Sequence, residues 1–513
     1  MAVCKASLHP SWVADAQCRP CKAVADRARR AKRRPALPPA RAQSPAVHTR
    51  TQFLRSDQDL KALEQTTDFF VTSAVQNSEA DGPALRALEL AAEECSGRIH
   101  VTPIRYVNPT RQNEIRPDEQ WAPALEPYLL ESEVRPHPNL AFMTRKSAAT
   151  TNNPLPVKLN GRTQDRSAIF GHPQLAMRTV ATPQHKLPKI YYSSGAITEA
   201  RGAYSDTDAG DMAEFHHSLA AIKVEIRGRR FHLRELIWDG YQFADIDRAY
   251  TPHGVVDLTP PAALVMGDWH EGATDPQVER ATFGPGGIVE SCQPEQLIVH
   301  DLADNLECNP HEVGRSLISA TRANQTVADH IAAVSKRLAQ WGGLEGLQRV
   351  VVVPSNHDDF LRRWLESGKA EPKDRELHAF LTYRMLREHR LRGAFPNALE
   401  LAVREAGDLP DHVRFLKLDE SYRVRGVELG MHGHLGPNGA RGSIRNLAQI
   451  GTRSIIGHVH SPGIWQGVVA VGTSSNYRLG YNAGPSSWLQ SHCLLFQSGY
   501  RQLLHIIEGS WRG

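Results

Sequence analysis

Ala263-Leu264-Val265-Met266-Gly267-Asp268-Trp269-His270 is an apolar run that stops at a polar tip, the pattern of a buried strand whose end carries chemistry. Three further segments repeat it. Leu297-Ile298-Val299 runs into His300-Asp301-Leu302-Ala303-Asp304, Val350 to Pro354 into Ser355-Asn356-His357-Asp358, and Ser454-Ile455-Ile456 into Gly457-His458-Val459-His460. His432-Gly433-His434 adds a fifth polar segment. Strand ends are where α/β folds collect their ligands.

Carboxylate and amide oxygens mixed with imidazoles suit manganese, iron, zinc or magnesium, and no cysteine stands in these motifs to make a thiolate site. A bridging carboxylate can hold two such ions roughly 3.5–4 Å apart, a geometry suited to in-line displacement at phosphorus. Each motif alone is weak; their order is the signal. An imidazole beside the scissile phosphate can protonate the departing alkoxide, and a carboxylate on its other nitrogen fixes the tautomer.

In that order the motifs resemble the calcineurin-like metallophosphoesterase superfamily over residues 260–510. The resemblance implies an α/β/β/α sandwich, with Asp268, His270 and His460 on one ion, Asn356, His432 and His458 on the other, and Asp301 bridging them. It implies His357 as general acid, Asp304 as the carboxylate that orients it, and His434 facing the substrate, with the choice of ligand between His432 and His434 open. His300 and Ser355 stand where the family has glycine, so those turns cannot rely on a free positive φ. Asn305 and Asp358 replace the arginine and glutamate of the protein-phosphatase branch, which disfavours a phosphoprotein substrate.

A chain of 513 residues is long enough for two or three domains, and its 41% hydrophobic and 23% charged residues are ordinary for a globular protein. It has no apolar stretch of membrane-spanning length and its start lacks a signal-peptide core, so a cytoplasmic protein without a membrane partner is expected. Residues 1–50 hold eleven lysines and arginines against two aspartates, a surplus of nine in a chain of net charge +4. The basic character belongs to the tail, which would meet DNA phosphates without reading sequence.

Cys4, His9, Cys18 and Cys21 offer the four ligands of a structural zinc site in residues 1–22, and residues 23–50 read as an Arg/Pro/Ala linker. An unstructured tail with three incidental cysteines is the other reading. Cys95, Cys292, Cys308 and Cys493 read as buried free thiols.

Residues 51–255 are expected to form a smaller α/β domain ahead of the phosphoesterase domain of 256–513. A βαβ unit is expected from strand Asp68–Val75, helix Pro83–Cys95 and strand Ile99–Pro103, and a hairpin turning at Gly228. Glu133 to Thr182 lacks periodicity and reads as an extended loop-bearing segment, and His216-His217 as a surface pair or a substrate contact. Helices are expected over 310–340, 359–367 and 375–392, and Tyr477, Tyr481 and Trp488 as packing residues or stacking faces.

Phe70 to Asn77, Pro103 to Thr110, Lys186 to Ile190 and Glu214 to His217 are similar to the leader domain of the host-DNA-degrading nucleases of T5-like phages. That resemblance implies a manganese-dependent DNase of low sequence specificity, distantly similar to the nuclease subunit of double-strand break repair complexes. The partners expected are DNA and a second copy in a homo-oligomer. A small-nucleotide phosphodiesterase with the same core and a non-catalytic nucleic-acid-binding protein are the alternatives.

Overall fold

The computed structural model describes residues 66–104, 121–144, 148–183, 185–201, 203–204, 206–309, 325–479 and 482–513. Cys4, His9, Cys18, Cys21, the basic linker and Tyr481 lie outside them. The described residues all fall within one unit, Asp59–Gly513.

A six-stranded sheet runs in the order Val413–Phe415, Arg349–Val352, Gln296–Val299, Ala263–Val265, Ser491–Leu495, Arg501–His505. Its first four strands are parallel and the last two antiparallel. Side chains alternate between faces, as strand geometry requires. Leu264, Leu297, Val299, Val350 and Val352 pack against the helices, while Ala263, Val265, Ile298 and Val351 face a second sheet. Val327–Gly342, Asp359–Ser367 and Arg375–Arg392 are among those helices, the last two with the expected bounds. Thr326 and Asp329 close a capping box at the start of the first, and Ile331, Val334, Leu338 and Trp341 form its buried stripe.

The second sheet has ten strands and joins distant parts of the chain. Ser454–Ile456 and Val468–Ala470 lie parallel in it, and Gly463–Trp465 pairs with His172–Val180 through Ile464 and Met177. From there the sheet continues through Lys189–Gly195, Ser167–Phe170, Leu140–Met143 and Val134–His137. The stretch from Glu133 to Thr182 is therefore not an extended loop-bearing segment but supplies four strands of the central sheet. One core cluster crosses the expected boundary at 255/256: Phe69, Phe142, Ile169 and Ile222 share it with Val265, Ile298 and Ile455.

The βαβ unit and hairpin form as expected. Strands Asp68–Val75 and Arg98–Ile104 are parallel around helix Gly82–Glu94, and Ala220–Arg227 pairs with Arg230–Ile237. Asp81 caps that helix by accepting from the Ala84 N–H at 2.9 Å. A buried ion quartet ties this sheet to the six-stranded one. Asp245 accepts from Lys223 Nζ at 2.8 Å and Arg234 Nε at 2.7 Å, Arg234 also reaches Glu225 at 2.7 Å, and Gln502 Nε2 donates to Asp245 at 3.2 Å. Burial works against the Glu225 carboxylate, but Arg234 outweighs it and holds it down at about 2.

Asp245→Ala is expected to cost about 3–5 kcal/mol, because it strands two buried cations on one remaining carboxylate. Urea unfolding would show this as a lower midpoint at unchanged slope, and a loss below about 1 kcal/mol would mean the quartet does not hold the sheets together. No helix among the described residues is long and apolar enough to cross a membrane.

Candidate metal centre

Three adjacent parallel strands and one from the facing sheet end at the same place. Ala263–Val265 delivers Asp268 and His270, Gln296–Val299 delivers His300 and Asp301, Arg349–Val352 delivers Asn356 and His357, and Ser454–Ile456 delivers His458 and His460. His432 arrives on the loop after Val427–Glu428, held where its carbonyl accepts from the Gly457 N–H at 2.7 Å.

Asp268, His270, Asp301 and His460 gather their ligand atoms within 4.8 Å of one another, all buried. His270 Nε2 lies 3.1 Å from His460 Nε2, and His460 Nε2 lies 3.0 Å from Asp268 Oδ2. Beside them, Asn356 Oδ1 is 3.2 Å from His432 Nε2 and 3.0 Å from His458 Nδ1. Asp301 stands between the two groups, its Oδ2 at 3.7 Å from His270 Nε2 and 3.3 Å from His432 Nε2.

This set fits cations. Two like-charged carboxylates are buried side by side; Asp268 Oδ2 has His460 beside it, while Oδ1 of Asp268 and Oδ1 of Asp301 have no hydrogen-bond partner among the described residues. A buried, unsatisfied carboxylate is costly, and a divalent ion removes that cost. Burial pushes the Asp301 carboxyl up, but His432 and His357 outweigh it and hold it well below the usual range.

His270 and His357 both turn Nδ1 to Asp304 Oδ1, each at 3.1 Å. Asp304 thus orients two rings, leaving each Nε2 directed elsewhere. Burial raises Asp304 and the hydrogen bonds from His270 and His357 hold it low. Burial also opposes charge on His357, while Asp301 and Asp304 push its imidazole up to about 9. His434 has its ring centroid 5.3 Å from His432, and its buried Nδ1 has no hydrogen-bond partner among the described residues.

The backbone pays for this convergence. His270, Asp301, His458 and His460 take φ of 52°, 43°, 73° and 53°, the left-handed region that L residues seldom occupy. At the His300-Asp301 turn the positive φ falls on Asp301, and His300 does not take one.

Three residues that the sequence marked only as departures from a family pattern support the centre. His300 is fully buried with Nδ1 3.4 Å from His432 Nδ1. Asp358 accepts from the Ala303 N–H at 2.9 Å, and Asn305 Nδ2 donates to the His357 carbonyl at 2.9 Å. His217 is no part of the centre: its Nε2 pairs with the Thr198 carbonyl at 2.8 Å and its Nδ1 with Tyr204 at 2.7 Å. The Trp488 ring meets His460 edge-on at 4.2 Å, and Tyr477 accepts from the Gln490 N–H at 3.3 Å.

Fold and site define a mixed α/β protein with a buried aspartate–histidine cluster able to hold a metal ion. The chain is similar to Protein A1 of Escherichia phage T5, 27% identical over 474 residues that cover 88% of this chain and 83% of that protein. No family model matches. A crystal structure of a Vps29 single mutant from Entamoeba histolytica covers 33% of this chain and 92% of its own, at 14% identity and a TM-score of 0.19, too slight an overlap to bear on the fold.

Proposed function

We propose that this chain is a calcineurin-like metallophosphoesterase that hydrolyses DNA phosphodiester bonds with two divalent ions, manganese before magnesium, iron or zinc. The observation that carries the reading is Asp301, one buried carboxylate within reach of both histidine groups. Asp268, His270 and His460 serve one ion, Asn356, His432 and His458 the other, and Asp301 both. Bound there, the ions would supply an activated water and neutralise charge developing on the phosphoryl oxygens.

The residues supply orientation and a proton. Asp304 fixes the His357 ring by Nδ1, so Nε2 is the atom that would protonate the leaving oxygen. With cations on Asp301, the Asp304 carboxylate remains to hold that proton until it is needed. His434 would face the phosphate. A phage relative and a tail with nine surplus positive charges favour DNA over a free nucleotide and cleavage without sequence preference.

The test is incubation of the full chain with linear and circular duplex DNA in manganese, magnesium or chelator. Degradation in manganese and none in chelator is expected, and loss of circles would mark endonuclease action. Binding without hydrolysis, or cyclic nucleotides turned over as fast as plasmid, would overturn the DNase reading.

A further inference from the structure

Beyond the centre, on the far side of Trp488, lies a groove of about 590 Å³. Lys186, Lys189, Arg229 and Arg230 line it, with Phe231 and Trp488 as aromatic faces. Asp165 and Glu508 line it too, Asp165 3.5 Å from Lys186 Nζ, so two of four positive charges are offset. Lys189 Nζ donates to the Gln164 carbonyl at 2.6 Å and Arg230 Nη1 to the Glu508 carbonyl at 3.4 Å, backbone bonds that fix both cations in place.

The wall between groove and centre is built firmly. Leu489 N–H donates to the His460 carbonyl at 3.1 Å, and Ser487 Oγ lies 2.8 Å from Ser461 Oγ. From the other side, Thr179 Oγ1 donates to the Ser487 carbonyl at 2.7 Å, and Thr182 and Ser486 exchange backbone bonds at 3.0 and 2.9 Å. Trp488 is therefore held with one edge on a centre histidine and its flank in the groove.

We propose that this groove receives an unpaired DNA strand, its phosphates along the four cations and a base against Trp488, with the neighbouring phosphate delivered to the centre. The proposal rests on the phosphoesterase reading. A cavity of this volume suits a nucleotide-scale guest and not a double helix. Stacking on an aromatic face needs a base freed from its pair, and a row of cations tracks a backbone rather than one phosphate.

Binding of a fluorescent oligothymidylate to the full chain in chelator reads the groove apart from catalysis. The double charge reversal Lys186→Glu with Arg229→Glu alters two exposed side chains and should leave the melting curve unchanged. It should weaken binding at least about tenfold and flatten the slope of log affinity against log salt by about one or more. Trp488→Ala should weaken it roughly 5- to 150-fold and Trp488→Phe far less, as for loss of one stacked base. An iodouracil oligonucleotide should photocrosslink to the segment carrying Trp488.

Wild-type affinity and slope in the charge-reversed chain, or duplex or thymidine monophosphate competing as well as the oligonucleotide, would overturn the groove. Plasmid degradation that persists alongside that result would leave the DNase reading standing. Strand binding lost in the variants, in a wild-type protein that hydrolyses nothing in manganese, would support the groove and sink the DNase reading alone.

Discussion

His357→Ala is expected to keep both ions and to bind DNA, yet to lose cleavage by roughly 10²–10⁴-fold, the range for a positioned general acid. The ring touches Asp304 through Nδ1 and Asn305 holds its carbonyl, so in the proposed reading its removal would take away a proton donor and not an ion ligand. The loss should shrink for a nitrophenyl phosphodiester, whose leaving group departs without protonation. Asp301→Asn should behave differently, losing ion occupancy and activity together on both substrates, because Asp301 reaches both histidine groups. Elemental analysis beside turnover of the two substrates separates the cases. If His357→Ala loses ions, or is equally impaired on both substrates, the general-acid assignment fails.

The strand ends were legible because each apolar run is short, β-branched and cut off by Gly, His, Ser or Pro before the polar tip. Asp68–Val75 and the hairpin at Gly228 were legible because their strands are eight residues each, long enough to show an apolar run or an alternation. Glu133 to Thr182 was not. Its strands Val134–His137, Leu140–Met143 and Ser167–Phe170 are four residues each, separated by Asn, Pro and Thr, and the sheet they extend is reached through a pairing of Met177 with Ile464. Strands this short show too few alternations for a period of two to stand out, even though their own partners, one another and Lys189–Gly195, lie near in sequence.

The same limit applies within the centre. Asp304 could be assigned to His357 by motif, but its bond to His270 joins two strand ends and shows only in three dimensions. His300 registered merely as a missing glycine. Its place behind His432 depends on how closely the facing sheet approaches, and that distance is set by Gly457.

Gly457→Ala is accordingly expected to damage both ion sites at once. The residue's own φ is not in the left-handed region, so the obstacle is space alone. A methyl group there falls within the contact radius of Asp268 Oδ1 and 3.0 Å from His300 Cβ. Neither can retreat, since both are fully buried, and the Gly457 N–H is bound to the His432 carbonyl at 2.7 Å. The strain must move the strand end, and with it His458 and His460, already in left-handed backbone that tolerates little further change. A displacement of the order of 1 Å at the reacting centre costs about 10²-fold. Overpacking a filled core adds about 1–3 kcal/mol of destabilisation. The expected outcome is fewer than two ions per chain by elemental analysis, DNA turnover down at least about 10²-fold with partial recovery at high manganese, and a lower urea midpoint. A Gly457→Ala protein that binds two ions and cleaves at the wild-type rate would show that the two sheets do not meet at this residue as closely as the ligand geometry requires.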